Sequence, residues 1–135
     1  MTRIELYDKL NAPRRTKRNI VVRRAQMEKL RVMMLPGAIR YDKENVQSSP
    51  TDPMLVFAEK MDELNTQLKG LESLYMQQYE EVEKLISRLD DKYKGVLTLK
   101  YLGDCKADEI AKELSYAESY VHKLKKEAIK ILERG

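Results

Sequence analysis

One hydrophobic seam constrains this chain more than any other feature. Met54, Phe57, Met61, Leu64, Leu68, Leu71, Tyr75, Gln78, Val82, Leu85 and Leu89 follow alternating steps of three and four, and ten of the eleven are apolar. Such a run predicts a coiled coil or a long helical hairpin. At 1.5 Å per residue the segment is about 54 Å long. Ala58, Leu74, Tyr79 and Ile86 widen the stripe, so packing against the first helix folded back and against a partner subunit is expected. On this reading Met61, Leu64, Leu68, Leu71, Tyr75, Val82 and Leu85 are dimerisation residues, and the chain forms a homodimer or higher homo-oligomer. Gly70 is a weak point, costing about 1 kcal/mol relative to Ala.

The flanks divide the chain into 1–53, a basic N-terminal arm, helix and loop; 54–90, the long helix; and 91–135. In the first part, Ile20, Met27, Leu30 and Met34 predict a helix from Asn19 to Met34 that Pro36-Gly37 stops, with a loop over 38–53. In the last part, Asp90 and Asp91 start a short helix that ends at Leu102, with Gly103 as its C-terminal cap. A second helix is expected over Ala107 to Leu114, a turn at Ser115-Tyr116-Ala117, and a final helix from Glu118 to about Glu133. The architecture predicted is all-α.

Charge is sorted along this framework. The net charge of +4 divides into +8 over residues 1–40, −6 over 41–90 and +2 over 91–135. Block charge of this kind points to a basic surface that meets an acidic partner, nucleic acid first. With 36% charged residues, 42% apolar residues and no Trp, a wide dry enzyme pocket is not expected. Cys105 is the one cysteine and His122 the one histidine, which excludes a disulfide framework and a histidine-cysteine zinc site. The Glu80, Glu81, Glu83 cluster is a solvated helix face, not a catalytic pair. No phosphate-cradling glycine loop or nucleophile–base set is found, so no enzyme and no cofactor are expected. No apolar run approaches a membrane span, and the basic N-terminus lacks the apolar core of a secretory signal. A soluble cytoplasmic protein is expected.

Residues 106–132, KADEIAKELSYAESYVHKLKKEAIKIL, have helix-turn-helix spacing. Ile110, Leu114, Tyr116, Val121 and Leu124 supply the apolar contacts. Ala111 is small where the helices cross, and Ser115 takes the turn. On the last helix Val121, Leu124, Ala128, Ile131 and Leu132 are expected inward, leaving Glu118, Ser119, His122, Lys123 and Lys126 outside. A recognition helix puts its first outer residues on base edges and later cations on phosphates. Glu118, Ser119, His122 and Lys123 are therefore the expected base readers on double-stranded DNA. Lys106, Lys112, Tyr116, Lys125, Lys126 and Lys130 are the expected backbone contacts. Arg14, Arg15, Lys17 and Arg18 of the basic arm would lie along phosphates or enter a minor groove.

The stretch from Lys106 to Leu132 resembles, without a gap, the C-terminal helix-turn-helix of bacterial sigma factors, the module that reads the −35 promoter element. Leu97 to Asp104 is similar to the helix that leads into it. About residues 35–132 resemble the RinA/ArpU-like late-gene regulators of phages, through LPGAIRYDKENVQSSPTDPM (Leu35 to Met54), the long charged helix and Lys100-Tyr101-Leu102. The resemblance implies a transcriptional activator of a phage operon, acting with host RNA polymerase on DNA in the bacterial cytoplasm. Four positions depart from the sigma pattern. Ala117 stands where Ser or Thr caps the recognition helix, Glu118 and His122 stand where arginines read bases, and Ala107 replaces a turn aromatic. The target sequence must differ accordingly. No counterpart of the promoter-melting part is present, so a complete sigma factor is not expected. The rival reading is a coiled-coil protein that binds a phage or polymerase subunit, with a purely structural helix-turn-helix.

Overall fold

The structure, a computed structural model, describes residues 1–35 and 52–135. Every regular element among them is helical: α1 (Arg3–Met33), α2 (Pro53–Ile86), α3 (Asp91–Leu97), a π-helical turn (Thr98–Leu102), α4 (Ala107–Leu114) and α5 (Glu118–Arg134). The all-α expectation is met. The Pro36-Gly37 stop, residues 38–51 of the loop expected over 38–53 and most of the Leu35–Met54 stretch lie outside the described residues; Pro53, expected in that loop, begins α2.

The first helix starts far ahead of the Asn19 expected from apolar spacing. Thr2 and Glu5 form a reciprocal cap: Glu5 N–H donates to Thr2 Oγ1 (3.1 Å) and Thr2 N–H to the Glu5 carboxylate (3.3 Å). Two of the first-turn donors are thereby satisfied. The helix continues through Pro13, which has no N–H to offer the Lys9 carbonyl. Leu6 and Leu10 are fully buried, and Pro13 and Thr16 nearly so. Residues 3–17 are thus a packed helix and not an arm.

α2 opens on Asp52, whose carboxylate accepts from Met54 N–H at 3.0 Å, with Pro53 at the first helical position. Packing divides the chain into two compact units, Met1–Lys17 with Leu74–Gly135, and Arg18–Ser73. These boundaries differ from 1–53, 54–90 and 91–135 because Leu6 and Leu10 share one core with Val82, Leu85, Leu89, Val96, Tyr101, Val121 and Leu132. In the first unit a bidentate pair, Arg3 with Glu133 at 2.7 and 3.1 Å, joins the start of α1 to the end of α5. Gln78, the single polar break of the seam, accepts the hydroxyl of buried Thr16 at 2.6 Å. In the second unit the buried side chains are Ile20 and Met27 of α1 and Leu64 and Leu68 of α2, with Arg24 and Glu72 paired at 4.0 Å.

The seam is therefore an intrachain surface over much of its length. Of the seven expected dimerisation residues, Leu64, Leu68, Val82 and Leu85 are buried inside the chain, and Met61, Leu71 and Tyr75 are half-buried. This corrects the assignment of Leu64, Leu68, Val82 and Leu85 to a subunit interface, because the chain itself covers them.

The link between α3 and α4 departs from the expected glycine cap. Gly103 N–H donates to the Thr98 carbonyl at 2.9 Å, which closes the π-helical turn. Gly103 has φ −89°, so the left-handed region is not what it supplies. A Cβ there would stand 2.8 Å from the Leu99 carbonyl oxygen, so glycine is required for space. The left-handed residue is Asp104, at φ 53°.

Candidate nucleic-acid interface

The helix-turn-helix is held by its turn and by the core beneath it. Tyr116 N–H donates to the Ala111 carbonyl (2.9 Å) and Ser115 N–H to that of Lys112 (3.4 Å), the paired bonds of a Schellman ending. Ser115 sits at φ 58°, ψ 42°, the left-handed position where glycine is commoner. At the other end of α4, Glu109 accepts the Lys106 backbone N–H at 3.1 Å. Ile110 and Ala111 of α4 are buried with Val121, Leu124 and Ala128 of α5; Leu114 and Tyr116 pack against the same core. One inward position is corrected: Ile129 is buried at 2% exposure, whereas Ile131 is 42% exposed. A hydrogen bond from the Tyr93 hydroxyl to Glu127 (2.9 Å) ties α3 to α5 and raises the phenol's pKa, chiefly through that bond.

What α5 leaves outward is a polar stripe. Glu118, Ser119, His122, Lys123, Lys126 and Lys130 are all exposed. At 100° per residue they lie within an arc of about 140°. The Glu118 carboxylate and His122 Nε2 are 3.8 Å apart, one turn along the stripe. Ala117 offers no side-chain cap to α5. Lys106 and Lys112 are exposed on α4, and Tyr116 is half-buried with its ring edge-on to Tyr120, centroids 5.0 Å apart.

Other expected contacts are placed elsewhere. Lys125 is off the stripe and half-buried, its ammonium 5.9 Å from the centre of the Tyr7 ring of α1. Its pKa is lowered, first by burial and then by Lys100 and Arg14. Arg14 is held by Asp104 at 2.8 Å and by Asn11 at 3.2 Å, and Arg15 by Asp8 at 2.7 Å. Lys17 and Arg18 are exposed on α1. These residues belong to the helix α1 and not to an extended arm. Lys100 was not singled out by spacing. It lies in the π-helical turn, where the helical register shifts and a regular wheel misplaces side chains.

The lone cysteine is half-buried and makes only a weak sulfur contact to the Gly103 carbonyl at 3.6 Å. No helix among the described residues is long and apolar enough to cross a membrane.

Comparison with known proteins agrees with this geometry over the C-terminal part. No curated protein and no solved structure matches the chain. The family model described as sigma-70, region 4, matches residues 79–132, from the last turns of α2 to the end of the α5 core. The C-terminal part of this chain is thus similar to sigma-70 region 4 and has a sigma-factor-like helix-turn-helix fold.

Proposed function

We propose that the chain is a sequence-specific DNA-binding regulator of transcription that activates a phage operon together with the host RNA polymerase. The observation that carries the DNA reading is the exposed stripe of α5, presented by a turn and core that fix its angle. A helix so held fits the major groove, with Ser119, His122 and Lys123 near base edges and Lys126 and Lys130 near phosphates. The carboxylate of Glu118 suits a cytosine amino group and rejects bases that present only acceptors. The phage and activator parts are supported by the resemblance of residues 35–132 to late-gene regulators.

Selection of duplexes from a random library tests this reading. His122→Ala and Lys123→Ala should change the preferred sequence, with about 1–3 kcal/mol of discrimination lost at one base pair each. Lys126→Ala should weaken all sequences evenly and lower the salt slope by about one. Failure to retain any duplex at low salt would sink the reading. Equal, sequence-blind losses in all three variants would remove the base-reading assignments. Transcription in vitro from the selected site, with and without the protein, tests activation.

A further inference from the structure

The second unit turns apolar side chains outward on both of its helices. Val21, Val22 and Val32 of α1 and Leu55 of α2 are 50–57% exposed. Valine is a mediocre helix former, so a solvated helix face gains nothing from it. The exposed residues also line up. At 100° per residue Arg18, Val21, Ala25, Lys29 and Val32 share an arc of about 80° on α1, centred roughly 150° from buried Ile20 and Met27. On α2, Leu55, Ala58, Glu59 and Asp62 share an arc of about 100°, centred roughly 150° from buried Leu64 and Leu68. All nine strip residues are exposed.

The two strips are opposite in charge. Between Arg18 and Met33 there are five cations and one carboxylate; between Pro53 and Ser73 there are four carboxylates and two cations. Among the described residues the ion pairs of this unit are Arg24 with Glu72, Arg31 with Glu28 and Lys60 with Glu63. Arg18, Lys29, Glu59 and Asp62 take no part in them. Each strip thus offers apolar surface bordered by unpaired charge of one sign, and the complement of each strip is carried by the same chain. A phosphate-binding face needs cations but no row of valines, so nucleic acid fits the α1 strip less well than an acidic, partly apolar helix does.

We propose that the outer strip of α1 docks on the outer strip of α2 in a second copy of this chain. Apolar contact supplies the attraction, and the opposed charges select α2 over α1 as the surface that is met. Both strips lie on the backs of their helices, so one copy presents them in roughly opposite directions. The contact therefore joins unlike surfaces head to tail, and a dimer is its smallest product. It uses the side of α2 away from buried Leu64 and Leu68, and it does not depend on what α5 reads.

The test is sedimentation equilibrium of the full chain over a wide range of protein concentration. The weight-average mass should rise above that of the monomer with concentration, and rise less in high salt, where exposed charges are screened. Arg18→Glu with Lys29→Glu gives two acidic strips, and Glu59→Lys with Asp62→Lys gives two basic ones. Each double variant alone should associate at least about tenfold more weakly than the wild type, because like charges then meet. An equimolar mixture of the two should recover association, since every contact between unlike copies is again between opposite charges. Circular dichroism checks that each variant is folded, and the single reversals Lys29→Glu and Asp62→Lys serve should a double variant unfold. A monomeric wild type at every concentration would overturn the proposal. So would a mixture that stays monomeric, or reversals that leave the mass unchanged and only weaken binding to a DNA duplex. A monomeric wild type that Val32→Asp destabilises would mean that the chain covers its own strip, which also overturns it.

Discussion

The two ends of α1 are built from similar material and meet different fates. Between Arg3 and Lys17, Leu6 and Leu10 are buried in a core shared by α2, α3, α4 and α5, and Pro13 and Thr16 are buried as well. Between Arg18 and Met33 only Ile20 and Met27 are buried, while Val21, Val22, Val32 and Met33 remain 50–60% exposed. Residue type does not separate the halves; the number of surrounding elements does. Among the described residues of the second unit α1 is accompanied only by α2, and two helices cover one stripe on each other. Several helices around the first segment cover it more completely.

Truncation of buried apolar side chains should break this comparison most sharply. Leu10→Ala opens a cavity in a core closed on all sides, and about 2–5 kcal/mol of stability should be lost. Met27→Ala should cost less, about 2 kcal/mol, because neighbours on an open two-helix layer can close over the gap. Urea unfolding followed by circular dichroism measures both. Equal losses would mean that the first unit is no better packed than the second. Lost α5 order in Leu10→Ala, seen as collapse of NMR dispersion at Val121 and Leu124, would confirm that α1 supports the reading head.

Two glycine positions offer a smaller, signed version of the same contrast. At Gly103 in the first unit an added Cβ meets the Leu99 carbonyl oxygen at 2.8 Å. Gly103→Ala must shift the π-helical turn and should cost about 1–3 kcal/mol. Gly70 in the second unit sits mid-helix on α2, and a Cβ added there would have nothing within 4 Å. Gly70→Ala should therefore stabilise by about 0.5–1 kcal/mol. Thermal melts decide both signs, and a destabilising Gly70→Ala would show that this face of α2 is covered.

These contrasts also separate what the amino-acid pattern revealed from what it hid. α4, the turn and the start of α5 were legible because short amphipathic helices with a sharp turn leave local signals: helical spacing at Ile110, Leu114, Val121 and Leu124, and a small residue at Ser115. The outer stripe followed from the same spacing. The first half of α1 was hidden. Pro13 signals a break, and cations dilute its apolar residues, so no clear face stands out. The Thr2-Arg3-Ile4-Glu5 capping box was the available signal, and it marks a helix start at the position where the structure has one. The seam showed that α2 needs partners but not whose. Apolar spacing is the same whether the facing helix belongs to the chain or to a copy of it, and only tertiary packing assigned Leu64 and Val82 to the chain itself. The nearness of Lys100 to Lys125 was hard to foresee because the two come from segments far apart in sequence.

The smallest expected effect concerns how each unit uses its charges. In the first unit Arg3 donates twice to Glu133, and this hydrogen bonding, with the charge of Arg3 and against the opposing effect of burial, holds the Glu133 carboxyl below its ordinary range. A carboxyl whose folded pKa is depressed contributes stability that is present above its unfolded value and is lost as pH falls through the folded one. The wild-type chain should therefore lose part of its stability over the interval just below the ordinary glutamate pKa of about 4.3. Glu133→Gln should remove that component of the pH dependence and lower stability at neutral pH slightly, since both partners are solvent-accessible and surface pairs contribute little. In the second unit Arg24 and Glu72 stand 4.0 Å apart, both well exposed, without a hydrogen bond between them. Glu72→Gln should leave the neutral-pH melting temperature nearly unchanged. Melts of the three proteins from pH 3 to pH 7 distinguish the cases. A Glu133→Gln curve parallel to that of the wild type down to pH 3 would show that the bidentate pair does not fasten α1 to α5, and the charge contrast between the units would disappear.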